Sequence, residues 1–271
     1  MPRIIDISVV ILTYNDENNI VHTLKSVYNK FSEIIILDSN STDKTIQICK
    51  QFTSNIYFRN FDNFSSQRNF AINKIKTLND YIFFLDSDET VSDLLIEELR
   101  QINLLAYDAY YVKRKFIWYG CWMKYGGYYP LYLMRIGKKD KVYFEGEVNE
   151  HMYLRSGESY QLNYEITDNF NKPFKEWINK HIRYSQYECL KYFKNNNYEN
   201  NKNRIWKKMP LFIRPFLLFF YRLIYKLGFL MGIKGIGYII IHTLIYRTYI
   251  DYLIFKVYLS RLKGKIWKKL F

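Results

Sequence analysis

Through the first hundred positions the apolar residues come in solid blocks rather than one by one. Ile7–Thr13 is an apolar, β-branched run that closes in the polar turn Tyr14-Asn15-Asp16. Glu33–Asp38 encloses Ile34-Ile35-Ile36-Leu37, Ile56–Phe58 is a third run, and Tyr81–Leu85 is a fourth. Short unbroken apolar runs of this kind predict strands covered on both faces. Between them the spacing changes to that of helices. Ile20, Leu24 and Val27 share one helical face, with Asp16 placed to cap it. Further helices are predicted through Ile46 and Cys49, over Ser66–Lys76, and after a Ser92 cap. Strands alternating with helices predict an α/β fold with a mostly parallel sheet flanked by helices.

From Ala109 to about Asp168 the pattern shifts to short strands and aromatic loops, with Gly120, Gly126-Gly127 and Pro130 as breaks. Pro173–Lys194 predicts an amphipathic helix with Phe174, Trp177, Ile178, Ile182 and Leu190 near one face. An Asn-rich connector, Asn195–Asn203, marks a boundary. The expected organisation is therefore a catalytic domain over residues 1–200, with halves at about 1–105 and 106–200, followed by a helical region over 201–271.

Charge separates these regions more sharply than composition does. The formal net charge is +14. Residues 1–201 carry 25 Lys/Arg and 25 Asp/Glu, whereas residues 202–271 carry 15 Lys/Arg against the single acid Asp251. A surplus confined to the last quarter of the chain points to a separate electrostatic task. Cys49, Cys121 and Cys189 are too few and too scattered for a disulfide framework or a zinc site, which fits a reducing compartment. The amino terminus, with Asp6 interrupting its apolar residues, lacks signal-peptide shape, and a cytoplasmic protein is expected.

Ligands of open parallel sheets bind beyond the carboxyl ends of the strands. That rule puts Thr13-Tyr14-Asn15, Asp38-Ser39 and Asp86-Ser87-Asp88 on one rim. Asp86 and Asp88 flank a small residue, and their oxygens suit a hard divalent cation such as Mn²⁺ or Mg²⁺. Alone, an Asp-x-Asp is more readily a capped turn; three polar clusters at strand ends favour a site.

The ordered set Ser8–Asn15 with Glu17, Asp38–Asp43, Gln67-Arg68-Asn69 and Phe84–Glu89 resembles the family 2 glycosyltransferases of GT-A fold, over roughly residues 5–185. The resemblance implies a nucleotide pocket lined by Thr13, Tyr14, Asn15, Glu17, Asp38 and Arg68. It implies that Asp86 faces ribose and metal, that Asp88 is the direct metal ligand, and that Ser87 lies among the donor-binding residues. The second half is similar to the lipopolysaccharide-core glucosyltransferases of WaaE type, through Trp118–Trp122, Gly127–Pro130, Leu133-Met134-Arg135 and Glu145–His151. In that group a Val-His-Glu element stands where this chain has Val148-Asn149-Glu150, so a histidine is replaced by Asn149 and the glutamate is kept. An inverting transfer needs a base for the acceptor hydroxyl. Glu150 is the candidate, with Glu147 second, and Arg135 could meet a diphosphate or form a structural ion pair.

The expected function is an inverting, non-processive transfer of a hexose, glucose first, from a UDP-sugar to a lipid-linked glycan such as a lipopolysaccharide core. Alternatives are another donor feeding capsule or glycoprotein glycans, or an inactive GT-A membrane scaffold. The chain has no Gln-x-x-Arg-Trp element of processive synthases and no Gly-x-Gly-x-x-Gly or Walker-type loop. In the tail, Arg214, Arg222 and Lys226 interrupt the apolar residues, and the longest uncharged run, Gly235–Tyr246, falls short of the ~20 apolar residues a spanning helix needs. Residues 205–271 are therefore expected to lie on an anionic membrane surface, monotopic at the inner face of the cytoplasmic membrane. The density of Leu, Ile and Phe excludes a nucleic-acid surface.

Overall fold

A computed structural model describes residues 3–146, 150–193 and 208–262. The candidate base Glu147 lies outside the described residues. The chain divides into two compact units, Met1–Ile117 with Pro130–Phe170, and Trp118–Tyr129 with Asn171–Phe271. The helix Phe174–Phe193 thus belongs with the basic tail, whereas the sequence suggested a division near residue 200.

In the first unit the chain runs through β1 (Ile5–Thr13), α1 (Ile20–Val27), β2 (Phe31–Asp38), α2 (Thr45–Cys49), β3 (Ile56–Phe58), α3 (Phe64–Lys74), β4 (Tyr81–Asp86), β5 (Glu89–Val91) and α4 (Asp93–Gln101). There follow β6 (Ala109–Trp118), β7 (Cys121–Trp122, in the second unit), β8 (Leu131–Lys138), β9 (Val142–Glu145), β10 (His151–Leu154) and β11 (Ser159–Phe170). The sheet order is β3-β2-β1-β4-β8-β6-β11-β5, and β9 and β10 form a separate antiparallel pair. The strands of the first eighty-six residues, β3, β2, β1 and β4, pair in parallel. The strands of the second half join antiparallel, β8 on β4 and on β6. The result is a mixed sheet with its parallel part in the first eighty-six residues.

The register follows from the apolar blocks. Val9 and Ile11 of β1 and Phe83 and Leu85 of β4 meet Leu24 of α1 and Leu95 and Leu99 of α4 on one face. The intervening Val10, Ile82 and Phe84 meet Ala71 and Ile72 of α3, with Phe144 and Met152, on the other. Successive side chains of a strand point to opposite faces, so both sets must be buried at once. Burying each large side chain is worth roughly 1.5–3 kcal/mol. A slip of one residue would exchange the two sets, and this fixes Asp86 at the rim. The left-handed Asn15 (φ 45°) and Asn40 (φ 65°) turn the chain just past β1 and β2, a conformation asparagine tolerates better than most residues.

Two local expectations need correction. Asp16 does not cap α1 through its side chain; its carbonyl accepts from Asn19 and Ile20 N–H, while its carboxylate binds Asn19 Nδ2 (2.7 Å) and the Ser87 hydroxyl. In α5 (Phe174–Phe193) the buried stripe is Trp177, Ser185 and Cys189, whereas Phe174, Ile178 and Ile182 are exposed. The reason is the partner: Cys189 packs among Tyr246, Ile250, Leu253, Ile254 and Val257 of the helix Tyr246–Leu262. Ser92 caps α4 as expected, accepting from Leu95 N–H at 3.2 Å.

Within the second unit the sole tail acid, Asp251, is buried against Arg214 and also accepts from Phe212 N–H at 2.8 Å. Contrary to the expectation that no tail segment is long and apolar enough, the run of consecutive helical turns over Gly228–Arg261 passes that test, with a mean hydropathy of 1.6 over its best stretch. Lys234 and Arg247 interrupt the sequence without interrupting the helix, so the apolar length is set by the fold. Only 28% of that stretch is buried inside the molecule.

Candidate active site

Three loops converge at the carboxyl ends of the parallel strands. Thr13 closes β1 and donates its hydroxyl to Asp38 Oδ2 at 2.6 Å. Asp38, fully buried at the end of β2, also accepts from Ser41 N–H (2.7 Å) and the Ser41 hydroxyl (2.6 Å). Asn15 and Glu17 face the same loop from the β1 side. Asn15 donates its N–H to Ser41 Oγ (2.9 Å) and accepts from Thr42 N–H (2.8 Å), and Glu17 accepts from Lys44 N–H (2.9 Å). Asp38 thus uses its carboxylate to build the loop, and Tyr14 is left 61% exposed beside it. An exposed ring on a braced loop is a surface on which a planar base can stack.

The third loop is the Asp86-Ser87-Asp88 turn after β4. Asp86 and Asp88 are half-buried, whereas Ser87 turns inward to Asp16 and its carbonyl accepts from Thr23 Oγ1 at 2.7 Å. Arg68 reaches this turn from α3. That helix begins at Asn63, whose side chain caps Ser66 N–H at 2.8 Å, a cap the sequence reading missed. Arg68 is 1% exposed. Its guanidinium binds Asp86 Oδ1 at 2.6 Å and Glu150 Oε1 with its other terminal nitrogen. Its charge also lies 5.3 Å from the Phe144 ring and 5.8 Å from Phe64. Glu150, eighty-two residues away in sequence, is thereby brought beside Asp86.

A second buried pair supports the turn from below. Glu89 accepts from Asp86 N–H at 3.0 Å and from Arg135 Nη2 at 2.6 Å, and Arg135 also lies 3.4 Å from Asp86 Oδ2. Arg135 is therefore a structural ion-pair residue here. Burial pushes the Glu89 carboxyl above its ordinary value, with Arg135 opposing that shift and Asp86 adding to it. The Arg135 guanidinium is held charged by Glu89 and Asp86 against its own burial. The sequence carried a signal for this pair, an acid directly following Asp-x-Asp, but its depth came only from the packing. Gln67 is a further brace, donating to Ser39 Oγ at 2.8 Å and so tying α3 to the loop after β2.

Among the described residues no cluster of three or more His, Cys, Asp or Glu side chains could hold a metal by itself. Two carboxylates separated by one residue fit a different mode. Mg²⁺ and Mn²⁺ at phosphate sites take one or two carboxylates and fill their remaining positions with phosphate oxygens and water. The donor set at Asp86 and Asp88 has that composition. A cavity of about 600 Å³ lined by Arg3, Asp6, Asn79 and Arg100 among others includes none of these site residues.

The sheet and its flanking helices are GT-A-like. A mannosyltransferase of Pyrobaculum calidifontis, solved with GDP-mannose and Mn²⁺, superposes with a TM-score of 0.50 at 13% identity, over 97% of this chain and 89% of that one. At that identity the likeness concerns the fold. Residues 8–120, less than half of the chain, match the model of glycosyl transferase family 2. This stretch includes every rim residue described above except Glu150 and Arg135. An uncharacterized glycosyltransferase of Rickettsia typhi is 32% identical over 111 residues, 40% of this chain and 37% of the relative. A minor teichoic acid biosynthesis protein of Bacillus subtilis is 28% identical over 127 residues, 40% of this chain and 28% of the relative. The chain thus spans well under half the length of the curated relatives it matches. These findings support a family 2 glycosyltransferase domain at residues 8–120.

Proposed function

We propose that the chain is an inverting, non-processive, metal-dependent glycosyltransferase that moves a hexose, glucose first, from a UDP-sugar to a lipid-linked glycan. The observation that carries this reading is the Arg68 bridge, which sets Glu150 next to Asp86 at the rim. In this reading Thr13, Tyr14, Asn15 and Glu17 line the nucleotide pocket, and Asp38 and Ser87 act there by shaping its loops. Asp88, with Asp86, holds the divalent ion. A bound Mn²⁺ or Mg²⁺ would supply positive charge to offset the diphosphate leaving group. Glu150 takes the proton of the acceptor hydroxyl as that oxygen attacks the anomeric carbon, and Arg68 fixes where Glu150 can stand. Attack from the face opposite the diphosphate inverts the anomeric centre.

The acceptor reading rests on the second unit. Its basic tail, residues 205–271, lies on an anionic membrane in this proposal, monotopic at the inner face of the cytoplasmic membrane. What supports it is exposed apolar surface: Phe216, Phe220, Ile224, Leu230 and Ile233 are each more than half exposed. The resemblance to WaaE-type enzymes favours a lipopolysaccharide core as the acceptor. The teichoic acid relative favours a second reading, the same chemistry on another cell-envelope polymer.

The test is UDP release from a panel of UDP-sugars, with and without Mn²⁺, by the full chain. Asp88→Ala should lose Mn²⁺-dependent release, and Glu150→Gln should lose transfer while keeping UDP binding. Full activity of Asp88→Ala at saturating Mn²⁺ would refute the metal assignment. Normal transfer by Glu150→Gln would move the base elsewhere.

A further inference from the structure

The second unit holds a cluster of hydrogen-bond donors that the proposed transfer does not use. Tyr128 Oη, Arg222 Nη1, Thr243 Oγ1 and Arg247 Nε are all buried and make no well-aligned hydrogen bond among the described residues, although Arg222 and Thr243 lie close enough to the Tyr128 hydroxyl to interact with it. They are neighbours. The Arg222 guanidinium carbon stands 4.2 Å from the centre of the Tyr128 ring, and Tyr128 lies 6.1 Å from His242, which adjoins Thr243. Thr243 and Arg247 are four residues apart on one helix, a spacing that places them on the same face. Both Arg222 and Thr243 sit in π-helical turns, Tyr221–Tyr225 and Ile240–Ile245. Such turns are rare and gather at functional sites.

The charge around this cluster is one-sided. Glu188, 3.5 Å from Arg247, is the one acid paired with either arginine among the described residues. His242 is held neutral, well below its usual range, by burial first and then by Arg222 and Arg247. Both arginines keep part of their surface in solvent. Buried donors without acceptors are costly, and two guanidiniums that can only donate outnumber what two hydroxyls, which both donate and accept, can satisfy. What they lack is an anionic oxygen acceptor. Forked guanidinium donors suit the oxygens of a phosphate, which can accept two bonds at once. The cluster shares its unit with the exposed apolar side chains of residues 213–233, which favours a phosphate attached to a lipid.

We propose that Tyr128, Arg222, Thr243 and Arg247 form a site for the phosphate of a lipid headgroup. The proposal rests on the membrane reading of the tail and deepens it from general charge attraction to a defined headgroup contact. It is independent of the UDP site.

The test is co-flotation of the full chain with phosphatidylcholine vesicles containing either phosphatidic acid or, at matched surface charge, oleic acid. Arg222→Gln and Arg247→Gln should each weaken binding to phosphatidic acid vesicles by about tenfold, the scale of one charge-assisted contact. Lys256→Gln, an exposed charge on the same helix, should change little. Arg222→Lys keeps the charge and guards against a folding artefact. It should fall short of the unaltered chain on phosphatidic acid and equal it on oleate. A parallel arm follows thermal stabilisation by inorganic pyrophosphate. Stabilisation of the unaltered chain but not of Arg222→Gln, without lipid discrimination, would assign the site to a free phosphate and overturn the lipid proposal. Equal losses in Arg222→Gln and Lys256→Gln would leave only surface charge and also overturn it. Binding to oleate that survives all these variants would preserve general membrane attachment, and UDP affinity should be unchanged throughout.

Discussion

Replacing Arg68 by Met removes the charge that joins Asp86 to Glu150 while keeping much of the side-chain volume. The cost can be assembled from the surroundings. The Glu150 side chain is 15% exposed, so leaving it unpaired should cost about 1–3 kcal/mol. Asp86 is 38% exposed and keeps Arg135 at 3.4 Å, so its share is at most about 1 kcal/mol. Loss of the charge near Phe144 and Phe64 adds roughly 0.5–1 kcal/mol. Together these effects predict a destabilisation of about 3 kcal/mol, read as a fall of roughly 6–12 °C in Tm for a chain of this size. Adding Glu150→Gln removes the unpaired charge, so the double variant should recover about 1–2 kcal/mol of the loss. Urea unfolding of the two single variants and the double variant measures this coupling. Strict additivity would refute the bridge, because independent residues show no such recovery. Sugar transfer should fall in both single variants and should not return in the double variant, since the proposed base is absent there.

Other expectations can be checked more briefly. Burial pushes the Cys49 thiol up to about 12, with Asp38 and Asp43 adding to the effect, and burial holds Cys189 at about 11. Iodoacetamide near pH 8 should therefore label half-buried Cys121 well ahead of both, as peptide mapping would show. Gly157→Ala should destabilise by about 1–3 kcal/mol, because φ is +107° there and the new methyl would collide with the Asp108 carboxylate; an unchanged urea midpoint would contradict this. Lys141 and Lys138 depress the Asp108 carboxyl to about 2. Its contribution is thus present above the ordinary carboxylate value near 3.8 and is lost as pH falls toward 2. Asp108→Asn should remove that part of the acid transition. Arg214→Met should lower stability by about 3–5 kcal/mol by stranding Asp251, with Asp251→Leu in the same chain restoring much of it.

The parallel part of the sheet was legible because its signals are local. Four apolar runs, each ended by a polar cluster, determine both the parallel strands and the rim on which Thr13, Asp38 and Asp86 stand. The antiparallel part was less legible for a physical reason. Its strands pair antiparallel over long sequence separations, as β8 does with β4 and β6, and no local period encodes such a partner. The same limit explains α5, where apolar spacing suggested Ile178 and Ile182 as the buried side, but packing against the Tyr246–Leu262 helix selected Ser185 and Cys189. Arg135 shows the limit at a single residue, because diphosphate contact and structural pairing were equally compatible with its position. Only the depth of Glu89 distinguishes them. Glu150 lies between these cases. Family resemblance singled it out, yet its closeness to Asp86 depends on an arginine from a helix eighty-two residues earlier. The proposed active site therefore depends on one buried side chain crossing from the local half of the fold to the non-local half. Variants of Arg68 should for that reason disturb the proposed base and the Asp86 turn together.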